Sequence, residues 1–457
     1  MSFQHTLNEK LYFEGQGLHT GLFIHMTVEP ASAKSGIRIS RTDLPGSPTY
    51  PAVADFVSAT ERGTVLENGT WRVSTVEHLL SALYAMQVDN VLIKVDAPEI
   101  PILDGSAGPF IQAIQQVGLK QQDAERQLFV VRKKIEFDNG VSRLTILPDD
   151  HFSVDVLIGY DSPILGNQFA QLDSLEDYAQ EISAARTFCF VREIEPLLDR
   201  GLIKGGSLDN ALVIYERQIS QEKLDRLADL CHVRHLPADR LGYLSEPKFI
   251  NEAARHKLLD VIGDLALVGV PLQGRVIASH PGHGVNTAFA KLIRKQYRHS
   301  AVLPPVYDPN QRPVFDNQAI QARLPHRYPM QLVDKIIQLT KNVVVGVKNI
   351  TNNEPYFQGH FPEEPLVPGV VVIEAMAQVG GLLLIDRQVS DGKYGTYLLK
   401  LEKVKFRQKV VPGDTLIMRL ELIEPIRRGI VVMQGHCFVA DRLVAEAEIT
   451  FQIVKIK

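Results

Sequence analysis

A run of prolines divides the chain into two parts. Residues 302–313, VLPPVYDPNQRP, contain four prolines in twelve positions. Proline fixes φ and lacks a backbone N–H, so such a run resists both helix and sheet. We therefore predict a linker at 301–315 between residues 1–300 and a separate unit at 316–457. The whole chain has 457 residues, which is enough for several domains with their own cores.

The part before the prolines alternates strand-like and helix-like patterns. Residues 16–30 read as a turn and an alternating strand, and 72–86 as a helix with Ser74 or Thr75 as its N-cap. A second helix is predicted at 109–118, and strands resume at FVVRKKIEF and SRLTILP. This order predicts two tandem α+β sandwich units, at 1–125 and 126–300.

The part after the prolines begins differently. One long apolar helix, from about 369 to 386, is followed by four strand-like runs. This pattern predicts an antiparallel sheet wrapped around a central helix.

Composition excludes several classes of function. The net charge is -4 and no basic block occurs, so nucleic acid is not an expected partner. The three cysteines are far apart, which suggests neither a disulfide framework nor a thiolate zinc site. A reducing cytoplasm is the expected compartment. No secretion signal or transmembrane segment is predicted.

One helix carries a polar stripe that needs an explanation. In NEAARHKLLDVIGD, residues 251–264, His256, Asp260 and Asp264 follow at steps of four and share one helix face. Such a stripe is either a solvated surface or part of a metal site, which needs a third ligand and a base. Glu77 and His78, adjacent near the start of a helix, are candidates for these roles, although a polar first turn is the alternative.

The part of the chain before the prolines resembles a known family, the zinc-dependent UDP-3-O-acyl-N-acetylglucosamine deacetylases of lipid A synthesis. The resemblance covers about residues 3–298 and rests on these motifs: GLHTG, STVEHLLSALYAMQVDN, PILDGSAGPF, ARTFCF, GSLDNALVI, NEAARHKLLDVIGDLALVG and PGHGVN. It implies one zinc ion per chain, held by His78, His256 and Asp260.

The same resemblance assigns roles to further residues. Glu77 would be the general base and His283 the acid or electrostatic partner. Thr187 would donate to the oxyanion, and Lys257 and Asp264 would position the substrate and His283. These residue types suit amide hydrolysis, because a metal ion polarises the carbonyl and a carboxylate and an imidazole handle the protons.

The family also implies a hydrophobic passage for the fatty acyl chain of the substrate. Its wall would come from the segment after Ala185, although each residue of this wall may equally be core or subunit contact. The candidates are Phe188, Phe190, Val191, Ile194 and Leu202.

The last part resembles the beta-hydroxyacyl-acyl carrier protein dehydratases, over about residues 316–457. The motifs are LPHRYPMQLVDKI, GHFPEEPLVPGVVVIEAMAQ and KVKFRQKVVPGD. The resemblance implies a hot-dog fold without a cofactor, with His360 as base and Glu374 as its acidic partner from another chain. The helix start at Gly369 has unpaired N–H groups that suit a thioester carbonyl.

Two functions remain open from the sequence. The first is a bifunctional enzyme that acts on a UDP-linked acylated glucosamine and on acyl carrier protein, as a dimer or higher homo-oligomer. The second is a protein with one catalytically silent half that serves for acyl binding or oligomerisation.

Overall fold

The computed structural model describes residues 3–198, 206, 210–230, 235, 237–300, 304–386, 393–424 and 426–456. These divide into a first unit, Met1–Tyr297, and a second unit, Arg298–Lys457. The finer bounds at 125, 300 and 315 stay predictions. Tyr307, inside the predicted linker, packs against Val345, Ile417 and Phe438 of the second unit.

The N-terminal part of the first unit is built on a five-stranded sheet. Its elements are the strands β1 (Phe3–Leu7), β2 (Leu11–Gln16), β3 (Phe23–Pro30), β4 (Ile37–Arg41), β5 (Thr49–Pro51), β6 (Val57–Ala59), β7 (Val65–Asn68), β8 (Trp71–Val73), β9 (Val91–Val95) and β10 (Leu119–Glu125), the helices α1 (Glu77–Ala85) and α2 (Gly108–Val117), and a 3-10 helix at Ala54–Phe56. The main sheet has the order β2-β3-β9-β4-β5, in which only β4 and β9 are parallel. Strands β6 to β8 form a separate sheet, and β1 pairs with β10.

The rest of the first unit repeats the combination of a sheet with helices. Its elements are β11 (Phe129–Val130), β12 (Ile135–Asp138), β13 (Arg143–Leu147), β14 (Phe152–Gly159), β15 (Asn167–Leu172), β16 (Phe188–Phe190), β17 (Leu212–Tyr215), β18 (Gly242–Tyr243) and β19 (Leu272–Ser279), with α3 (Tyr178–Glu181), α4 (Val191–Leu198), α5 (Gln221–Leu230), α6 (Glu252–Ala266), α7 (His283–Ser300) and a 3-10 helix at Leu175–Asp177. The main sheet has the order β12-β13-β19-β14-β15, and β16 to β18 form a small sheet. Helices α1 and α6 pack against each other within one shared core.

The second unit is a sheet that curls around a helix. Its elements are α8 (Asn317–Arg323), β20 (Lys335–Leu339), β21 (Val343–Asn349), a 3-10 helix at Pro355–Gln358, α9 (Gly369–Asp386), β22 (Lys393–Phe406), β23 (Thr415–Leu422), β24 (Ile430–Val439) and β25 (Arg442–Ile456). The strands are antiparallel throughout, in the order β20-β21-β23-β24-β25-β22. Helix α9 contacts five of these strands and supplies the centre of the core.

The predicted fold class is confirmed, with two local differences. Two strands of the second unit, β20 and β21, precede the central helix and were not predicted. The predicted N-cap of α1 is wrong, because Val76 occupies the cap position and Thr75 has a left-handed φ of 58°. A side-chain N-cap normally needs an extended φ and ψ. The Thr75 hydroxyl instead donates to Glu99 Oε1 at 3.0 Å.

Helix α6, whose polar stripe raised the question of a metal, is buried on both faces. His256, Asp260 and Asp264 are at most 2% exposed, as are Leu258 and Ile262 on the opposite face. The stripe is therefore not a solvated surface. Within the described ranges, no helix combines the length and the apolar character needed to cross a membrane.

Candidate active sites

The predicted metal centre of the first unit joins one side chain of α1 to two side chains of α6. His78 lies in the first turn of α1, and His256 and Asp260 lie one turn apart on α6. Gly263 permits the close approach of the helices, because a Cβ atom there would lie 2.1 Å from the Glu77 carbonyl oxygen. One potential ligand atom from each of the three side chains lies within 4.8 Å of the other two.

Hydrogen bonds to the ring nitrogen or carboxylate oxygen that does not face the centre orient His256 and Asp260. His256 Nδ1 lies 3.0 Å from the Ala185 carbonyl oxygen, and its Nε2 lies 3.4 Å from Asp260 Oδ1. Asp260 Oδ2 accepts a hydrogen bond from Lys257 Nζ at 2.8 Å, whereas the buried Oδ1 has no hydrogen-bond partner among the described residues. An orphaned buried carboxylate oxygen is costly, and a metal ion would remove that cost. The donor set of two imidazoles and one carboxylate therefore fits a metal ion.

The charges at this centre suit metal binding. Burial and the neighbouring His256 lower the pKa of His78 to about 3, and burial also lowers the pKa of His256. Both imidazoles are thus neutral at pH 7, as ligands must be. Burial opposes the charge of Asp260, but the positive charges of Lys257 and the nearby His283 outweigh it and hold the pKa of that carboxyl well below its usual range. Asp260 is therefore ionised, as a carboxylate ligand must be.

Glu77, the predicted base, faces the same space. Its Oε2 accepts a hydrogen bond from the Thr64 backbone N–H at 3.1 Å, and its Oε1 lies 3.9 Å from His283 Nε2. Burial raises the pKa of Glu77 to about 7. A carboxylate with a pKa near neutrality is well suited to accept a proton and release it again in each cycle.

His283, the first residue of α7, is held as a cation. Its Nδ1 lies 3.0 Å from Asp264 Oδ2, and its Nε2 lies 3.8 Å from Asp260 Oδ2. Burial opposes its charge, but the carboxylates of Asp264, Asp260 and Glu77 outweigh burial and raise the pKa of His283 to about 9. The proton on Nδ1 is engaged by Asp264, so the proton on Nε2 is the one that faces the site.

Phe188, the first residue of β16, lies beside His256 and Lys257 of α6, and Thr187 precedes it in the chain. Thr187 donates its backbone N–H to the Gly105 carbonyl oxygen at 2.8 Å. The Phe188 ring lies 6.4 Å from the His256 ring and 5.5 Å below Lys257 Nζ. Phe188 and Lys257 therefore lie at the rim of the same site.

The other candidates for the acyl passage divide between two cores. Phe190 belongs to the main core of the first unit, whereas Val191 and Ile194 belong to a small core around β17. Leu202 lies outside the described residues. Phe188 is thus the candidate that combines partial exposure with a contact to the metal centre.

Two residues of this site were not found from the sequence. The Thr64 hydroxyl donates to Asp264 Oδ1, and Asn286 Nδ2 donates to Asp264 Oδ2 at 2.9 Å. Asn286 follows His283 by three positions on α7, a spacing that places both on one face and was available as a signal. Thr64 lies 200 positions from Asp264, just before β7, and its sequence offers no comparable signal.

In the second unit, the predicted residues His360 and Gly369 lie near the two ends of the loop that leads into α9. His360 Nδ1 lies 2.8 Å from the Leu366 carbonyl oxygen, which leaves its Nε2 for other contacts. Gly369 begins α9, where a Cβ atom would lie 2.8 Å from the Phe406 ring, so a larger residue would displace that ring.

Glu374 lies farther along α9 and has its own partners. Its Oε1 accepts a hydrogen bond from Gln378 Nε2 at 3.0 Å and lies 3.7 Å from His326 Nε2. The Glu374 side chain is 33% exposed, so this carboxyl is only partly buried although the helix that carries it is apolar. Within the described part of the chain, His360 and Glu374 form no ion pair with each other.

The fold and these side chains are those of an enzyme with two units, a first unit with a candidate metal centre beside a base and an acid, and a hot-dog unit. Comparison with known proteins gives the same division. The family model of LpxC, UDP-3-O-acyl N-acetylglycosamine deacetylase, matches residues 4–245 and 239–295, and the FabA-like domain matches residues 324–448.

Relatives with both units cover the whole chain. A bifunctional enzyme LpxC/FabZ from Bacteroides thetaiotaomicron is 54% identical over 99% of both chains. Others so named, from Porphyromonas gingivalis and Chlorobaculum tepidum, are 51% identical over 100% of both chains and 39% identical over 99% of both. The chain belongs to the family of bifunctional LpxC/FabZ enzymes, with a deacetylase unit and a dehydratase unit.

Proposed function

We propose that the first unit hydrolyses the N-acetyl group of UDP-3-O-(3-hydroxyacyl)-N-acetylglucosamine to the free amine and acetate, with zinc held by His78, His256 and Asp260. The second unit dehydrates (3R)-hydroxyacyl-acyl carrier protein to the trans-2-enoyl product. The observation that carries the first assignment is the convergence of three buried ligand atoms beside Glu77 and His283.

In the deacetylase site a bound zinc ion would supply positive charge that acidifies water and polarises the amide carbonyl. Glu77 accepts the proton of the attacking water at Oε1, the oxygen that faces His283. His283 holds a proton on Nε2 and delivers it to the departing amine nitrogen, while Asp264 fixes the ring through Nδ1. Thr187 donates to the oxyanion, and Lys257 and Phe188 border the substrate.

In the dehydratase site two groups share the proton transfers. His360 accepts the C2 proton of the hydroxyacyl thioester at Nε2, because its Nδ1 is engaged by Leu366. Glu374 gives a proton to the departing C3 hydroxyl, which leaves as water. The N–H groups at the start of α9, from Gly369 onward, polarise the thioester carbonyl. The reaction requires no cofactor.

A second copy of the chain completes this dehydratase site. His360 and Glu374 of one chain each have their own partners and form no pair. Strand β22 is an edge strand with several exposed apolar residues, and an unprotected edge of this kind pairs readily with another strand. We assign the protein to a dimer or higher homo-oligomer whose site combines His360 of one chain with Glu374 of another. The predicted compartment remains the cytoplasm.

Zinc stoichiometry measured beside two separate assays tests both assignments on one preparation. The expected result is one zinc ion per chain, with N-deacetylation and dehydration both present. A preparation with one zinc ion and only one activity would instead support the alternative in which the other unit is a silent binding or oligomerisation module. The presence of all proposed acids, bases and ligands in both units favours two activities.

A further inference from the structure

The loop LPHRYPM, residues 324–330, has no role in the function proposed so far. Arg327 holds this loop against the end of α8, because its guanidinium donates to the carbonyl oxygens of Leu324 at 2.9 Å and Gln321 at 3.1 Å. The loop is therefore held in a defined position beside α9.

A single buried amide connects the loop to the proposed acid. Gln378 Oε1 accepts the Leu332 N–H at 2.9 Å, and Gln378 Nε2 donates to the Met330 carbonyl oxygen at 2.8 Å. The same Nε2 donates to Glu374 Oε1 at 3.0 Å, and the Gln378 side chain is almost fully buried. The position of the loop and the position of the Glu374 carboxyl are thus fixed together.

A titratable side chain of the loop, His326, lies beside Glu374. His326 Nε2 lies 3.7 Å from Glu374 Oε1, whereas His326 Nδ1 is buried and has no hydrogen-bond partner among the described residues. A hydrogen on Nδ1 would be an unsatisfied buried donor, which is unfavourable. The neutral ring therefore carries its hydrogen on Nε2, directed towards the carboxyl group.

Both neighbours act on the same oxygen of Glu374. Gln378 and His326 face Oε1, so Oε1 is an acceptor and Oε2 is left to hold the acidic proton. We propose that His326 is a positioning residue of the dehydratase site, which orients the Glu374 carboxyl and stabilises the carboxylate that remains when its proton has left. The inference rests on the proposed role of Glu374.

The order of bond changes in the elimination shows at which step His326 would stabilise Glu374. The C2–H bond breaks and its proton passes to His360, the C3–O bond breaks and its electron pair leaves with oxygen, and the proton of Glu374 completes the water molecule. A C2–C3 double bond remains. Glu374 has then become an anion, and a donor beside Oε1 is more strongly bonded to an anion than to a neutral acid. His326 should therefore affect the turnover number more than the binding of substrate.

The test compares two substitutions of His326 in the full chain. His326→Leu removes the donor, whereas His326→Gln keeps an N–H near the position of Nε2. For H326L we expect kcat of dehydration to fall about tenfold with KM nearly unchanged, because the Nε2–H donor, 3.7 Å from Oε1 at rest, would close to a hydrogen bond with the carboxylate once the acidic proton has left. H326Q should recover most of that loss. Tyr328→Ala, an exposed position in the same loop, is the matched control and should retain the native rate.

The outcomes separate this inference from the proposed function. Native turnover in H326L, equal loss in H326L and H326Q, or a change in KM alone would overturn it. His360→Ala is measured in parallel, because an active H360A would instead overturn the dehydratase assignment. Thermal unfolding and deacetylation report the integrity of each variant, and H326F replaces H326L as the apolar variant if the leucine disturbs the second unit.

Discussion

The two candidate sites differ in how much of each a single chain provides. In the first unit, the proposed ligands, base and acid come from α1, α6 and α7 and lie within hydrogen-bond or ion-pair distance of their neighbours. In the second unit, His360 and Glu374 are turned to different partners of their own chain. The proposed groups of the first site thus converge within one chain, whereas those of the second site do not pair with each other in the described part of the chain.

The two sites also differ in how deeply their side chains are buried. The proposed metal ligands and Glu77 are nearly inaccessible, and the pKa values of Glu77 and His78 are shifted by burial and by neighbouring side chains. Glu374 is one third exposed, and among the described residues the one ionisable side chain within ion-pair distance of it is His326. A buried site depends on charge compensation inside the chain, whereas an open site can receive a missing group from a second chain.

Removal of the metal should separate the two activities completely. The three ligands lie in the first unit, and the proposed dehydration uses side chains only. We expect a chelator to abolish deacetylation and leave dehydration intact in the same sample, and added zinc to restore the first activity. Deacetylation that persists in protein shown to be free of metal would contradict the metal centre.

Substitution of the base should be the next largest effect. Glu77→Gln keeps the shape of the side chain and removes its capacity to accept a proton, so deacetylation should fall on the order of a hundredfold or more. Zinc content and dehydration should be unchanged, and the exposed Glu125→Gln serves as the matched control. An E77Q protein with native deacetylation would show that another group takes the proton.

Much of this first site followed from spacing and resemblance. The step of four between His256 and Asp260 defines one helix face whatever the surrounding fold, and the stretch 251–264, interpreted as helical, lies almost wholly within α6. The burial of that face did not follow, because α1 covers it and the contact of α1 with α6 depends on Gly263. The choice of zinc came from the resemblance, since two imidazoles and a carboxylate suit several metals.

Long-range contacts were the part that sequence could not supply. Thr64 reaches Glu77 and Asp264 only because β7 begins beside both α1 and α6. In the second unit, the helix from 369 to 386 was predicted correctly from its apolar run. The proximity of His326 to Glu374 was not predicted, because it depends on the bridge between the loop and Glu374 through Gln378.

A change at Thr64 tests how tightly the first site is organised. The Thr64 hydroxyl donates to Asp264, which in turn holds His283. Thr64→Val leaves the shape unchanged but removes one hydrogen bond to a charged group, so kcat of deacetylation should fall about tenfold with KM little changed. Thr64→Ser retains the hydroxyl and should restore most of the rate. Equal effects of both variants would assign Thr64 a packing role only.

Mixing two inactive variants tests whether the second site is shared. His360→Ala and Glu374→Ala should each lose dehydration. If each site takes His360 from one chain and Glu374 from the other, a mixed dimer contains one doubly damaged site and one intact site. Random exchange of subunits should then restore up to roughly a quarter of the native dehydration rate, by statistical pairing of equivalent chains.

Deacetylation supplies the control for that experiment, because its proposed groups lie between residues 64 and 286 of one chain. Both variants, alone and mixed, should deacetylate at the native rate. Exchange must be shown directly, by labelling one variant and recovering mixed dimers. If exchange is complete and dehydration does not return, each chain builds its dehydratase site alone. His360 and Glu374 must then approach each other during turnover, and the contrast between a complete and an incomplete site would hold only for the resting chain.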